Sequence, residues 1–303
     1  AAGGLVHIWA WGDEQRHMTP IKWGKNGAVD KRLQRYIAAR LGPLPGWTMG
    51  YGFDLFEWVK EEDLREWHSY LHQHFGWSHF LGGRPGGPRS GLNHKRYQIY
   101  EGLDYSSYEH HQPTYEVYVA ALEARPGKPV FSEDRFRLRD PSPYPDKDYT
   151  EVLTRRGLWH STMAGGVANI WGNLIHESAG GGSGPYEHPE WIKTNSRFFE
   201  NRFLKNMVRH NSITDGVCLK TPDNKRFVFY KEDTESIQMD LSAMPNSTAA
   251  VAVDTKQPYK EIDLGKLDSE TQTWKAPHQS DWAVAVGDFS TAHNNVKKWR
   301  NMR

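Results

Sequence analysis

A single cysteine, Cys218, in 303 residues excludes an internal disulfide framework and a cysteine-ligated zinc site. No apolar run approaches the roughly 18 residues of a membrane span, and the first residues do not read as a signal peptide. The chain has no Lys/Arg block, and its formal net charge of +1 gives a polyanion no electrostatic footprint. Neither nucleic acid nor a membrane is an expected partner. Metal-ligand spacing is also lacking. A metallohydrolase barrel would take His-x-His from its first strand, where Leu5–Trp11 (LVHIWAW) offers only His7. The run Glu109-His110-His111 lies in a loop, and His72 and His74, two apart on a helix, do not share a face. No catalytic metal and no cofactor are expected. What the chain does have is aromatic side chains: 13 Trp and 14 Tyr exceed what packing requires. Their faces stack on sugar rings and on bases, and the charge balance favours sugar.

Read in order, the chain alternates short apolar strands with helical repeats. Leu5–Trp11 is a strand, and Val29, Leu33, Tyr36, Ile37 and Leu41 then recur at helical spacing up to Gly42-Pro43. The stretch Trp47–Val59 (WTMGYGFDLFEWV) is a strand that ends in glycines and delivers Asp54 and Glu57 among Tyr51, Phe53 and Trp58. Leu64, Trp67, Leu71 and Phe75 mark a helix, Ser78–Gly82 a strand, and Tyr97–Tyr100 another before the loop EGLDYSSYEHHQ. A helix opens at Pro113, a strand runs from Pro129 to Phe131, and a helix from about Thr150 precedes GGVANIWGN. A last helix covers roughly residues 190–209. Strands alternating with helices, with conspicuous residues at strand C-termini, indicate a (β/α) barrel of the TIM type over residues 1–210. From about Ile213 short alternating segments separated by turns predict a helix-free antiparallel β-sandwich over residues 211–303.

Two strand ends carry the chemistry. Apolar neighbours raise a carboxyl pKa by desolvating the charged form, so Asp54 is suited to hold a proton near neutral pH. The same residue could instead cap the following helix, and Glu57 could be a solvated loop acid. In KPVFSEDRFR (Lys128–Arg137) an apolar strand ends at Ser132-Glu133-Asp134, with Arg135 and Arg137 close behind. A carboxylate beside Arg stays ionised, as a nucleophile requires, although a structural Glu–Arg pair has the same pattern. Glycoside hydrolysis needs one protonated and one anionic carboxyl flanking the glycosidic bond. Residues just past strand ends are the expected sugar contacts: Trp11, Asp13, Trp58, His79, Arg84, Tyr105, Glu109, His110, Arg135, Arg137 and Trp171. Trp9 and Trp77 are further candidate platforms, although tryptophans inside strands, such as Trp9 and Trp47, are more often core. Arg84, Arg135 and Arg137 could also pair with an acidic sugar.

These motifs carry a resemblance. Strand-end glycines with Asp54, then KPVFSEDRFR, then a helix and GGVANIWGN, resemble the apiosidase-like glycoside hydrolases of bacterial polysaccharide degradation. Arg226–Asp288, from RFVFYKE through MDLS and AVAVDT to WKAPHQSDWAVAVGD, is similar to the small β-domain of that family named for collagen binding. The resemblance implies a secreted, periplasmic or cell-surface location and an acid/base Asp after the fourth barrel strand. It also implies a nucleophilic Glu after the seventh, and so a retaining mechanism. By motif these are Asp54 and Glu133. The family's tighter Trp-x-x-Gly-Gly-Asp pattern is here longer by two residues, so Glu57 stays an alternative acid. Other readings are a non-catalytic carbohydrate-binding barrel and a metal-dependent barrel hydrolase. Asp54 follows only the second strand counted here, and about six strand–helix units precede the sandwich, where a barrel has eight. The expectation is a barrel without its first two βα units, completed by an upstream chain or segment.

Overall fold

The computed structural model describes residues 6–11, 23–52, 55, 58–83, 101–108, 112, 114–124, 126–132, 138, 142, 144–146, 148–166, 168–169, 175–178, 181–185, 187–200, 202 and 206–289. They fall into two compact units: Ala1–Tyr149 with Gly166–Ser183, and Thr150–Gly165 with Gly184–Arg303.

The first unit is a parallel sheet with crossover helices. Its elements are β1 (Val6–Trp9), α1 (Ala28–Arg40), β2 (Trp47–Gly50), α2 (Glu61–His74), β3 (Phe80–Gly83), β4 (Tyr105–Tyr108), α3 (Tyr115–Glu123), β5 (Val130–Ser132) and β6 (Ala168–Asn169). The sheet order is β1-β2-β3-β4-β5-β6, and every neighbouring pair is parallel. That is the sequential βα pattern expected of a barrel wall. A separate two-stranded sheet joins β7 (Ile175–Ser178) to β8 (Gly181–Pro185). The fourth strand is not where the sequence pattern put it. Tyr97–Tyr100 lies outside the described residues, and the strand that pairs with β3 and β5 is Tyr105–Tyr108. Its sequence, Tyr-Ser-Ser-Tyr, lacks the β-branched run that marks a buried strand, yet Ser107 is fully buried.

Helix α2 shows how local sequence sets an element. The Lys60 backbone N–H donates to the Asp63 carboxylate, and Glu61, Glu62 and Asp63 place negative charge on the first turn. Leu64, Trp67 and Leu71 line its buried face. Against that face packs a core of Trp11, Met49, Tyr51, Leu55, Trp58 and Leu81. Buried Asp30 of α1 accepts the indole N–H of Trp11 at 2.7 Å and of Trp67 at 2.8 Å, and the backbone N–H of Asn26 at 2.7 Å. One carboxylate thereby satisfies three donors, two of them buried indoles.

On the strands, rings take the place of side chains that glycines lack. A Cβ on Gly82 would lie 2.6 Å from the Tyr105 ring, and one on Gly50 would lie 2.7 Å from the Trp9 ring. The Tyr105 ring stacks on Phe131 at 4.5 Å, and its hydroxyl donates to the Met49 carbonyl. His7 lies beside them, 6.1 Å from Tyr105 and 6.3 Å from Phe131, with Nδ1 held by Thr48 Oγ1 at 2.6 Å. Burial lowers the His7 pKa from 6.5 to about 4, because the imidazolium would lose its hydration among these rings.

The second unit is an antiparallel sheet with two helices, α4 (Glu151–Met163) and α5 (Pro189–Phe199). Its strands are β9 (Val208–Arg209), β10 (Val217–Lys220), β11 (Phe227–Asp240), β12 (Thr248–Asp254), β13 (Ile262–Leu267) and β14 (Thr271–Val286). They pair in the order β13-β12-β14-β11-β10-β9. This differs from the expected helix-free sandwich beginning at residue 211. The two helices, read as part of the barrel, group with the sheet because their buried side chains pair with it. Arg155 forms a buried ion pair with Asp281, Trp159 stacks on Tyr230 at 5.1 Å, and Trp191 Nε1 donates to the Lys256 carbonyl. In place of two sheets there is one sheet that bends back on itself. The β11–β14 register shifts between Lys231 and Ser236: from Thr234 to Ser236 β11 advances two positions while β14 runs five, between Ser280 and Lys275. The bulge brings Trp274 and Trp282 to 5.2 Å, although eight residues of straight strand would span about 26 Å.

Two outcomes follow from the interior of the parallel sheet. Gly82→Ala should destabilise the protein by about 1–3 kcal/mol in urea unfolding, because the Tyr105 ring has no room to retreat. Unchanged stability would mean the ring moves freely. For His7 the folded pKa lies below the unfolded one, so its contribution is complete above pH 6.5 and is lost as pH falls through about 4. The expected loss is on the order of 2 kcal/mol, reduced for partial solvent contact. His7→Gln should be less pH-sensitive than wild type by that amount across the window, and identical pH dependence would contradict a buried neutral His7.

Candidate active site

In a parallel barrel the loops at the strand C-termini build the site. The ladder here runs on past the strand ends: Ala10 N–H donates to Gly50 O, Trp11 N–H to Tyr51 O, and Tyr51 N–H to Gly82 O at 2.8 Å. The C-termini of β1, β2 and β3 are therefore level and fixed. β5 ends at Ser132, which is buried, and Leu55 packs against the Gly83 backbone.

The expected catalytic residues enter from these ends. Asp54 and Glu57 follow β2, with Glu133 immediately after Ser132 of β5, and all three lie outside the described residues. So do Asp13, Arg84, Glu109, His110, Arg135, Arg137 and Trp171.

Four expected sugar contacts are described, and each is packed inside the protein. Trp11 stacks on Trp67 at 4.5 Å with planes 8° apart, while Asp30 holds its N–H. Trp58 is buried in the same cluster, 6.2 Å from the Trp67 ring, and its carbonyl accepts from Lys25 Nζ. His79 precedes β3, at its N-terminal side, where it stacks on Trp47 at 4.1 Å and meets the Gly42 carbonyl at 2.6 Å. Tyr105 opens β4 as a fully buried ring and does not follow a strand end. Packing and hydrogen bonds occupy all four.

Trp9 and two polar clusters also stand out among the described residues. Trp9, a candidate platform with core the more frequent role for its type, is the last residue of β1 and only half-buried, edge-on to His7 at 5.3 Å. The sequence pattern ran this strand on to Trp11; the structure ends it at Trp9, whose ring fills the space beside Gly50. Two groups among the described residues have metal-ligating geometry: His68, His72 and Asp104, and Glu151, Glu187 and His188. The Asp104 carboxyl is opposed by its partial burial, but hydrogen bonds with His68, His72 and the Leu81 N–H hold it well below the usual carboxylate range.

No family model matches the chain, and no curated protein matches its sequence. Solved structures do match. A glycoside hydrolase superposes with a TM-score of 0.67 at 14% identity, over 89% of this chain and 71% of its own. A glycoside hydrolase family 5 protein from Bacteroides vulgatus gives 0.69 at 15% identity, over 94% and 70%. A GH30 endoxylanase from Clostridium papyrosolvens gives 0.51 at 10% identity, over 85% and 71%. At these identities the likeness is one of fold: the chain shares the fold of these solved glycoside hydrolase structures.

Proposed function

We propose that the protein is a glycoside hydrolase acting on a complex polysaccharide or its oligosaccharides. Asp54 is the general acid/base, with Glu57 the alternative, and Glu133 is the nucleophile. The observation that carries this reading is the strand count between the acids. Asp54 follows β2 and Glu133 follows β5, three positions apart in a sheet whose strands pair in sequence order. The apiosidase-like resemblance sets its acid and nucleophile after the fourth and seventh strands, the same interval. The fold likeness to glycoside hydrolases supports the reaction class. Half-buried Trp9, at the end of β1, offers a ring face toward a bound sugar in this reading. The antiparallel sheet corresponds to the β-domain of the resembling family, and a bacterial extracytoplasmic location accompanies the same kinship.

Hydrolysis on a panel of polysaccharides and aryl glycosides tests the proposal. Glu133→Gln should lose about a thousandfold in rate with its fold intact, as for a nucleophile removed from a concerted pair. Ordinary activity in that variant would remove Glu133 from the mechanism. Asp54→Asn should slow substrates with poor leaving groups far more than activated aryl glycosides, because only the former need protonation. If Glu57→Gln shows that split instead, the acid is Glu57. The expected mechanism is retaining, with carboxyl groups about 5–5.5 Å apart. Proton NMR of the first-formed anomer decides this, and an inverted product would contradict the double displacement.

A further inference from the structure

We infer that His68, His72 and Asp104 form a structural site for a zinc-type divalent cation that fastens α2 to the start of β4. His68 and His72 are four residues apart on α2, so both imidazoles project from one face, with ring centroids 4.3 Å apart. Asp104, immediately before β4, brings Oδ1 to 3.6 Å from His68 Nε2 and Oδ2 to 2.9 Å from His72 Nε2. One ligand atom from each residue lies within 4.8 Å of the others. Bonds of about 2.05 Å to a tetrahedral ion would separate its ligands by about 3.3 Å, and the two measured separations bracket that value.

The surroundings fit a metal site as well as the ligands do. His68 Nδ1 is engaged by the buried Tyr51 hydroxyl at 3.0 Å, which leaves Nε2 facing Asp104. Metal-bound imidazoles are oriented in this way through their second nitrogen. The Leu81 backbone N–H, at 2.9 Å from Asp104 Oδ2, fixes the carboxylate to β3. The side chains of His72 and Asp104 are 29% and 26% exposed, giving an ion access and leaving room for water as a fourth ligand. Two imidazoles and one carboxylate suit zinc or a neighbouring first-row divalent ion over magnesium or calcium. None of the three residues stands at the C-terminus of a parallel strand, so the ion's role is to hold the wall of the sheet, outside the proposed chemistry.

The same residues could form a metal-free His–Asp–His hydrogen-bond chain, and metal content separates the two. Full-length protein without a histidine tag is stripped with chelator, exchanged with zinc and desalted. Wild type should retain one equivalent of zinc by elemental analysis and melt about 5 °C higher than the stripped form. Cobalt in its place should show the visible bands of a four-coordinate ion. His72→Gln and Asp104→Asn, both at partly exposed positions, should lose the retained metal and the melting shift. His188→Gln, in the second unit, should keep both. Wild type retaining no metal, or the His72 and Asp104 variants retaining as much as wild type, would overturn the site. These readouts do not involve hydrolysis, so the inference stands or falls apart from the proposed activity.

Discussion

Gly50 and Gly82 carry no side chain because rings from neighbouring strands occupy that space, and the geometry of the parallel sheet depends on this exchange. Trp9 lies over Gly50 and Tyr105 over Gly82, and Tyr105 then stacks on Phe131 of β5 and hydrogen-bonds the Met49 carbonyl of β2. Five strands, β1 to β5, are thus locked through two absent methyl groups. A dense interior tolerates little volume change, so the positions of the strand ends follow from this packing. Those ends are where Asp54 and Glu133 enter the chain. These strand-end glycines serve first as sockets for rings.

The second unit rests on a different constraint, the pairing of buried charge. Arg155 is almost fully enclosed, and Asp281 meets it. Nearby, burial disfavours the Glu232 carboxylate, but hydrogen bonds from His160 and Arg156 hold its pKa well below the usual range. Such contacts join α4 to the sheet by specific partners as well as by apolar area. They also explain why a helix following the barrel pattern in sequence belongs by contact to the antiparallel sheet.

Much of the parallel architecture was legible in the sequence, because short apolar strands alternate with helices of clear 3.6-residue period. Tyr105–Tyr108 escaped because two serines replace the apolar residues of a typical strand. The register shift in β14 escaped for another reason: no local pattern tells a bulged strand that folds back from two strands of separate sheets. For the site, sequence located the acids at strand ends but could not tell a lining aromatic from a packed one. Trp11 and Trp58 follow strands as a sugar platform would, yet Trp67 and Asp30, remote in sequence, draw them into the core. His72 was weighed only against His74, two apart on its helix; its meeting with His68 and Asp104 required the fold.

The central claim is that Glu133 attacks the anomeric carbon while a second carboxyl after β2 supplies the proton. Covalent trapping tests it most directly. The protein is incubated with a panel of 2-deoxy-2-fluoro glycosides bearing activated leaving groups, then digested, and the labelled peptide is identified by mass spectrometry. The account predicts one sugar ester per chain, on the peptide containing Glu133, for whichever glycoside is recognised. A label on Asp54, on Glu57 or elsewhere would contradict it, as would turnover of the parent glycoside with no trapped ester.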